Sequence, residues 1–101
     1  MKLFNFLFGK KNNNINNFLA RQAIIIDVRS VSEYKLGAIP NSKNIPLQEI
    51  TNKIQNIKDY KKPIIVCCAS GIRSGSALAI LRSNNIDVIN GGRWTSLIKK
   101  L

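Results

Sequence analysis

Two adjacent thiols, Cys67 and Cys68, close an apolar run and are followed by a glycine-containing loop, Arg73 and Ser74 (residues 64–76, IIVCCASGIRSGS). A thiol in this place is set to be a thiolate. Backbone N–H groups at a helix N-terminus are unpaired and point into the loop, the helix dipole favours negative charge, and Arg73 adds a cation. Such surroundings bring a cysteine pKa from about 8.5 to between roughly 3.5 and 7.5, which makes it nucleophilic at neutral pH.

The nucleophile has few possible helpers. The 101 residues include no histidine, which excludes Ser–His–Asp and Cys–His catalysis and histidine-containing metal sites within this chain. Neighbouring cysteines cannot staple a loop, and a disulfide between them closes a strained ring, so a secreted disulfide scaffold is not expected. Two cysteines without further ligands also make a poor zinc site. No metal and no cofactor are expected, and the plain reading is a reduced, cytoplasmic thiol protein.

Sixteen Lys and Arg against five Asp and Glu give a formal charge of +11, a field that concentrates anions and draws acidic partners. The basic residues are spread from Lys2 to Lys100 without interleaved aromatics, so they read as a solvated basic surface and not as a dedicated nucleic-acid site. Residues 1–13 form an apolar and basic extension, with Leu3, Phe4, Phe6, Leu7 and Phe8 beside Lys2, Lys10 and Lys11. Its apolar stretch is too short to span a bilayer. Contact of residues 3–8 with a membrane surface fits this pattern, but packing on the chain's own domain, or fraying, is the favoured reading.

Residues 14–101 are expected to fold as one domain. Ile15, Phe18 and Leu19 have helical spacing, and AIIIDV (residues 23–28) reads as a buried parallel strand. A helical turn around Glu33 and Tyr34 is stopped by Gly37, and a very short strand fits around Ile45. Leu47, Ile50, Ile54 and Ile57 predict an amphipathic helix ending near Lys58. Residues 64–67 form the next strand and residues 74–81 a helix, with Ser74 as its N-cap. A third short strand at residues 87–89, a turn at Gly91-Gly92 and a helix over residues 93–101 complete the pattern. Strands alternating with helices argue for a parallel α/β sheet, whose ligands sit beyond the carboxyl ends of the strands, where Cys68 falls.

Four patterns in this order resemble one family: Asp27-Val28-Arg29, Glu33-Tyr34 with residues 37–46 (GAIPNSKNIP), residues 68–74 (CASGIRS), and Gly91-Gly92 followed by Trp94. Together they are similar to a single-domain rhodanese over roughly residues 15–97. The resemblance implies a small rhodanese-like parallel sheet flanked by helices on both faces. It further implies a sulfurtransferase in which Cys68 attacks thiosulfate or a persulfide donor, carries the sulfur as a persulfide, and passes it to a thiol or cyanide-like acceptor. An acidic sulfur-carrier protein fits the charge. Residues Ala69, Ser70, Gly71, Ile72 and Arg73 would form the cradle, their inward N–H groups holding the terminal sulfur as a nest holds phosphate. Gly71 can take the left-handed conformation a curled loop requires.

Arg73 has two readings, a cation that lowers the Cys68 pKa or a fork tying the loop to Asp27 or Glu33. Ser74, Asp27 and Arg29 are supporting residues, the latter two either shaping the loop or simply pairing at a strand end. Trp94 is read as core before pocket wall. The family's usual histidine before Ile-Pro is Ala38 here, and a loop position often basic in active members is Ala69, which weakens capture of a dianionic donor.

Counted from Cys67 the loop has the C-x5-R spacing of phosphatases and arsenate reductases, a competing register. Gly71 is the third residue after Cys68, as in the family, and this selects Cys68. Strand alternation turns Cys67 to the other face as a buried neighbour. The alternatives to sulfur transfer are therefore a non-catalytic rhodanese-like binding module and an oxyanion hydrolase or arsenate reductase using Cys67.

Overall fold

A computed structural model describes residues 14–101; the extension at residues 1–13, with the membrane contact considered for residues 3–8, lies outside them. Helix α1 (Ile15–Ala20) is capped by the Asn14 side chain, which accepts the Asn17 N–H at 2.7 Å. Strand β1 (Ile24–Asp27) follows, then α2 (Val31–Leu36), stopped by Gly37, and the two-residue strand β2 (Lys43–Asn44). A 3-10 helix (Leu47–Lys53) runs into α3 (Ile54–Asp59), and then come β3 (Ile64–Cys68) and α4 (Ile72–Ser83). Strand β4 (Val88–Arg93), α5 (Trp94–Leu97) and a final 3-10 turn (Ile98–Lys100) end the chain.

The four strands are parallel in the order β2-β1-β3-β4. Strand β3 is central and buried along its whole length, as expected of an apolar run covered on both faces. Alternation sorts its side chains. Ile64, Val66 and Cys68 pack with Ile57, Ala77 and Leu81 from the α3 and α4 side, whereas Ile65 and Cys67 pack with Phe18 of α1 and Leu97 of α5. Helices therefore cover both faces, and the adjacent cysteines point into different cores.

Three local expectations are corrected. The segment after Pro46 winds as a 3-10 helix before becoming α-helical, which suits a first half in which Leu47 and Ile50 stand three residues apart. Gly91-Gly92 is not a turn but part of β4, where the register with β3 shifts between Val66 and Cys67 so that Gly91 is an extra residue. A Cβ on Gly91 would lie 2.8 Å from Ile65 Cγ2 and 2.9 Å from Leu97 Cδ2, so only glycine lets α5 fold down onto the sheet. The last helix accordingly begins at Trp94 and lasts four residues before tightening into the 3-10 turn.

Candidate active site

Strand β3 ends on Cys68, and the backbone curls back at once through Gly71, whose φ of +100° is left-handed. A side chain there would be strained by its own backbone. The curl aims donors at one sulfur: Gly71 N–H donates to Cys68 Sγ at 3.0 Å, Ser74 N–H at 3.4 Å, and Ser74 Oγ lies 3.4 Å away. Burial pushes the Cys68 thiol up, and the Ser74 hydroxyl and N–H with the N–H groups of Gly71 and Ser70 outweigh it, bringing the pKa down to about 7. Near neutral pH a large fraction is thiolate. Its residue is nonetheless 0% exposed, although the two loop residues that follow it, Ala69 and Ser70, are exposed.

Cys67 has the opposite chemistry one residue away. It is enclosed in the other core, and burial, with the Asp27 carboxylate adding to it, pushes its thiol up to about 12. Both cysteines are free thiols.

Ser74 is not the N-cap of α4. The helix begins two residues earlier, at Ile72, with Gly71 in the cap position, because the left-handed glycine completes the reversal sooner than a serine cap would. Ser74 instead sits fully buried in the first turn with its hydroxyl on the sulfur. Within the loop, Ser70 Oγ accepts the Ile72 N–H at 3.3 Å, and the Ile72 side chain stands out into solvent.

Arg73 makes the fork. Its Nη1 and Nη2 donate to Glu33 Oε1 and Oε2 at 2.7 and 3.0 Å. The Glu33 pairing is the first cause raising the Arg73 pKa, and the Cys68 thiolate contributes at longer range, so the cation serves the carboxylate before it serves the sulfur. Arg73 holds Glu33 well below the usual carboxylate range, at about 2, with help from Ser30. Asp27 and Arg29 form a buried pair: Arg29 Nη2 and Nε donate to Asp27 Oδ2 at 2.8 and 3.0 Å, and Nη2 also donates to the Gly37 carbonyl at 2.7 Å. The Arg29 guanidinium sits 4.7 Å from the centroid of the Trp94 ring. Arg29, Glu33, Leu36, Gly37 and Trp94 together line a cleft of about 170 Å³. A larger groove of about 460 Å³ at Lys58, Lys61 and Asp87 is at the other end of the sheet, where β3 and β4 begin, and takes no part in this chemistry.

Among the described residues no group of three Cys, Asp or Glu side chains is placed to hold a metal ion. No described helix is long and apolar enough to cross a membrane.

Residues 11–94 match the model of the rhodanese-like domain. The chain belongs to the rhodanese-like domain family. A rhodanese-related protein from Thermoplasma volcanium is 30% identical, with 85% of each chain covered and a TM-score of 0.70. A human single-domain sulfurtransferase, TSTD1, is 26% identical with 86% of this chain and 91% of that one covered, at a TM-score of 0.68. An uncharacterized protein from Bacillus subtilis is 36% identical over 84 residues, and a tRNA sulfurtransferase from Thermoplasma acidophilum is 33% identical over 73 residues. This rhodanese-like domain spans 66% of the length of the former and 14% of the latter.

Several residues that shape this rhodanese-like site escape motif reading. Asn90 Nδ2 donates to the Gly71 carbonyl at 3.2 Å while its Oδ1 accepts the Gly92 N–H at 2.8 Å, clamping the loop after Cys68 to β4. An asparagine before two glycines signals only a turn, so sequence carries no hint of this. Glu33 does carry one: Ser30-x-x-Glu33 is a capping-box spacing, and both reciprocal bonds form at the start of α2. Arg93 is brought into register with Cys68 by the Gly91 bulge, a pairing that no local pattern announces.

Proposed function

We propose that the protein is a sulfurtransferase that moves a sulfane sulfur from thiosulfate or a persulfide donor to a thiol or cyanide-like acceptor through a Cys68 persulfide. The observation that carries the reading is the convergence of Gly71 N–H, Ser74 N–H and the Ser74 hydroxyl on Cys68 Sγ, whereas burial dominates the surroundings of Cys67. Those donors favour the thiolate as nucleophile and would stabilise the anionic persulfide that replaces it.

With thiosulfate, the thiolate attacks the outer sulfur, a Cys68 S–S bond forms, the donor S–S bond breaks, and sulfite leaves with its electron pair. Attack of cyanide on the terminal sulfur then breaks the new bond, giving thiocyanate and restoring the thiolate. No proton, metal or cofactor is consumed. The reaction suits a histidine-free site. Cys68 is 0% exposed, so its surroundings must open for a donor to reach the sulfur. A reduced, cytoplasmic setting suits two free thiols in a chain with no third cysteine.

The test is thiocyanate formation from thiosulfate and cyanide, and sulfide release from glutathione persulfide and dithiothreitol, each counted above the rate without protein. Cys68→Ser is expected to abolish both, and Cys67→Ser to retain them. Retention by Cys68→Ser overturns the reading. A non-catalytic binding module is the second reading, favoured by the complete enclosure of Cys68; it requires that Cys68 remain unmodified by every donor.

A further inference from the structure

The exposed apolar side chains of this domain gather around the reactive loop. Among the described residues, the large hydrophobic side chains left open to solvent are Leu36 (91% exposed), Ile72 (77%), Leu101 (56%) and Val31 (49%). Apart from Leu101 at the chain end, they stand where β1 and β3 deliver Asp27 and Cys68. Ile72 opens α4, next to the glycine whose N–H holds the sulfur. Val31 opens α2 and Leu36 closes it. The Arg73–Glu33 fork ties α2 to α4, so the helix that Val31 and Leu36 begin and end is joined to the one that Ile72 opens. Leu36 is also a wall of the cleft it shares with Trp94 and Arg29. Exposed apolar residues scattered singly are ordinary, but a group bordering a reactive centre marks an interaction site.

The charges at this end select the partner. Arg29 and Arg73 are committed to Asp27 and Glu33, so the loop offers a dianionic small donor little uncommitted charge. Exposed cations here include Lys35, beside Leu36, and Arg93, in register with Cys68. Of the carboxylates, Asp59 and Asp87 lie where β3 and β4 begin, and Glu49, in the 3-10 helix, is the one near this end that no arginine forks. The rim is apolar with a basic margin, on a chain of formal charge +11. Such a surface repels a second copy of itself and attracts an acidic protein.

We propose that the rim of Val31, Leu36 and Ile72, with Lys35 and Arg93 at its margin, docks an acidic protein segment whose cysteine persulfide is the sulfur donor to Cys68. The proposal rests on the sulfurtransferase reading of Cys68. The Cys68 thiolate attacks the terminal sulfur of the partner's R–S–SH; the Cys68 S–S bond forms as the partner's S–S bond breaks. The partner sulfur leaves with the electron pair and takes the proton of the transferred sulfur, giving R–SH and the Cys68 persulfide anion. The partner's cysteine is reduced as Cys68 is oxidised, so no outside oxidant is needed. Apolar anchors bring the reacting sulfurs together through binding energy that a free anion cannot supply.

The test measures loading of the full-length protein by intact mass with four donors: thiosulfate, glutathione persulfide, and two synthetic peptides, each with one cysteine persulfide flanked by leucines. One peptide carries Asp and Glu, the other Lys. The acidic peptide is expected to load Cys68 about tenfold faster than the lysine peptide, and Val31→Ser with Lys35→Ser to lower its rate about tenfold. Loading by glutathione persulfide should stay within about twofold in that double variant. Equal rates from the two peptides, or an acidic-peptide rate untouched by the double variant, overturn the proposal while leaving the transferase reading standing if a small donor loads. Sedimentation that shows a dimer dissolved by the same substitutions assigns the rim to a second copy. If no donor loads Cys68, both readings fail.

Discussion

Arg73 reaches from the first turn of α4 to Glu33 on α2, with both nitrogen–oxygen contacts at 3.0 Å or less. The pair closes a span of forty residues in sequence and holds the far end of the Cys68 loop to a helix that leaves the neighbouring strand. Glu33 also caps α2 through Ser30, so one carboxylate fixes both the helix start and the loop.

Glu33→Gln separates positioning from charge. The substitution keeps shape and part of the hydrogen bonding but frees the Arg73 cation to act on the sulfur. Sulfur loading of Cys68 is expected to slow by about tenfold through loss of alignment. The midpoint of its alkylation rate against pH should stay near or below 7, because the only charge removed is negative. A midpoint that rises would show that Arg73 had been lowering the Cys68 pKa only when held by Glu33.

Ser74→Ala removes the hydroxyl from the sulfur and keeps the Ser74 backbone N–H. Since that hydroxyl is the largest of the favourable contributions to the thiolate, the alkylation midpoint should rise from about 7 toward the ordinary cysteine value of about 8.5. An unchanged midpoint would leave the backbone donors as the whole cause.

Stability should carry the same signature. Cys68 has a folded-state pKa below its unfolded value, so the folded state binds fewer protons than the unfolded chain between the two. The resulting stabilisation is complete above about pH 8.5 and is lost as pH falls through about 7. A lowering from about 8.5 to about 7 corresponds to about 2 kcal/mol. In urea unfolding, the wild type is expected to gain stability relative to Cys68→Ser by this order between about pH 6 and pH 9.5. Parallel pH profiles would contradict the assignment.

Asp27→Asn breaks the pair beneath the site. Asp27 is 0% and Arg29 4% exposed, and removing one partner leaves a buried guanidinium without its counter-charge, a change that typically costs about 3–5 kcal/mol. Trp94 and the Gly37 carbonyl are held by the same guanidinium. The variant is therefore expected to show a lower urea midpoint and altered tryptophan fluorescence before any unfolding. A wild-type midpoint would mean that Asn44, which donates to the Asp27 and Arg29 carbonyls, suffices to hold the segment.

The parallel sheet, its order of elements and the opposed directions of Cys67 and Cys68 were legible because each depends on local pattern. Apolar runs too continuous for an exposed strand made β1 and β3 buried, and period-two alternation separated the cysteines. The glycine offset likewise marked the curl before Ile72. The role of Ser74 was misplaced because a serine near a helix start reads as a cap, whereas the left-handed Gly71 takes that position and moves Ser74 inward. The Gly91 bulge was hidden for a different reason: two glycines signal a turn, and only the nearness of Ile65 and Leu97 shows that the first one is needed for packing. Long-range partners such as Asn90 with Gly71, and the choice of Glu33 by Arg73, depend on tertiary geometry that no spacing encodes.

The assignment of transferable sulfur to Cys68, and not to Cys67, decides the proposed function. It is tested most directly by exposing the full-length protein to thiosulfate and to glutathione persulfide, weighing it intact, and mapping the adduct by peptide mass. The expected result is one added sulfur atom, on Cys68, retained in Cys67→Ser, absent in Cys68→Ser and released by cyanide as thiocyanate. An adduct on Cys67, or one that persists in Cys68→Ser, would contradict the assignment, as would no adduct with either donor or with the acidic persulfide peptide.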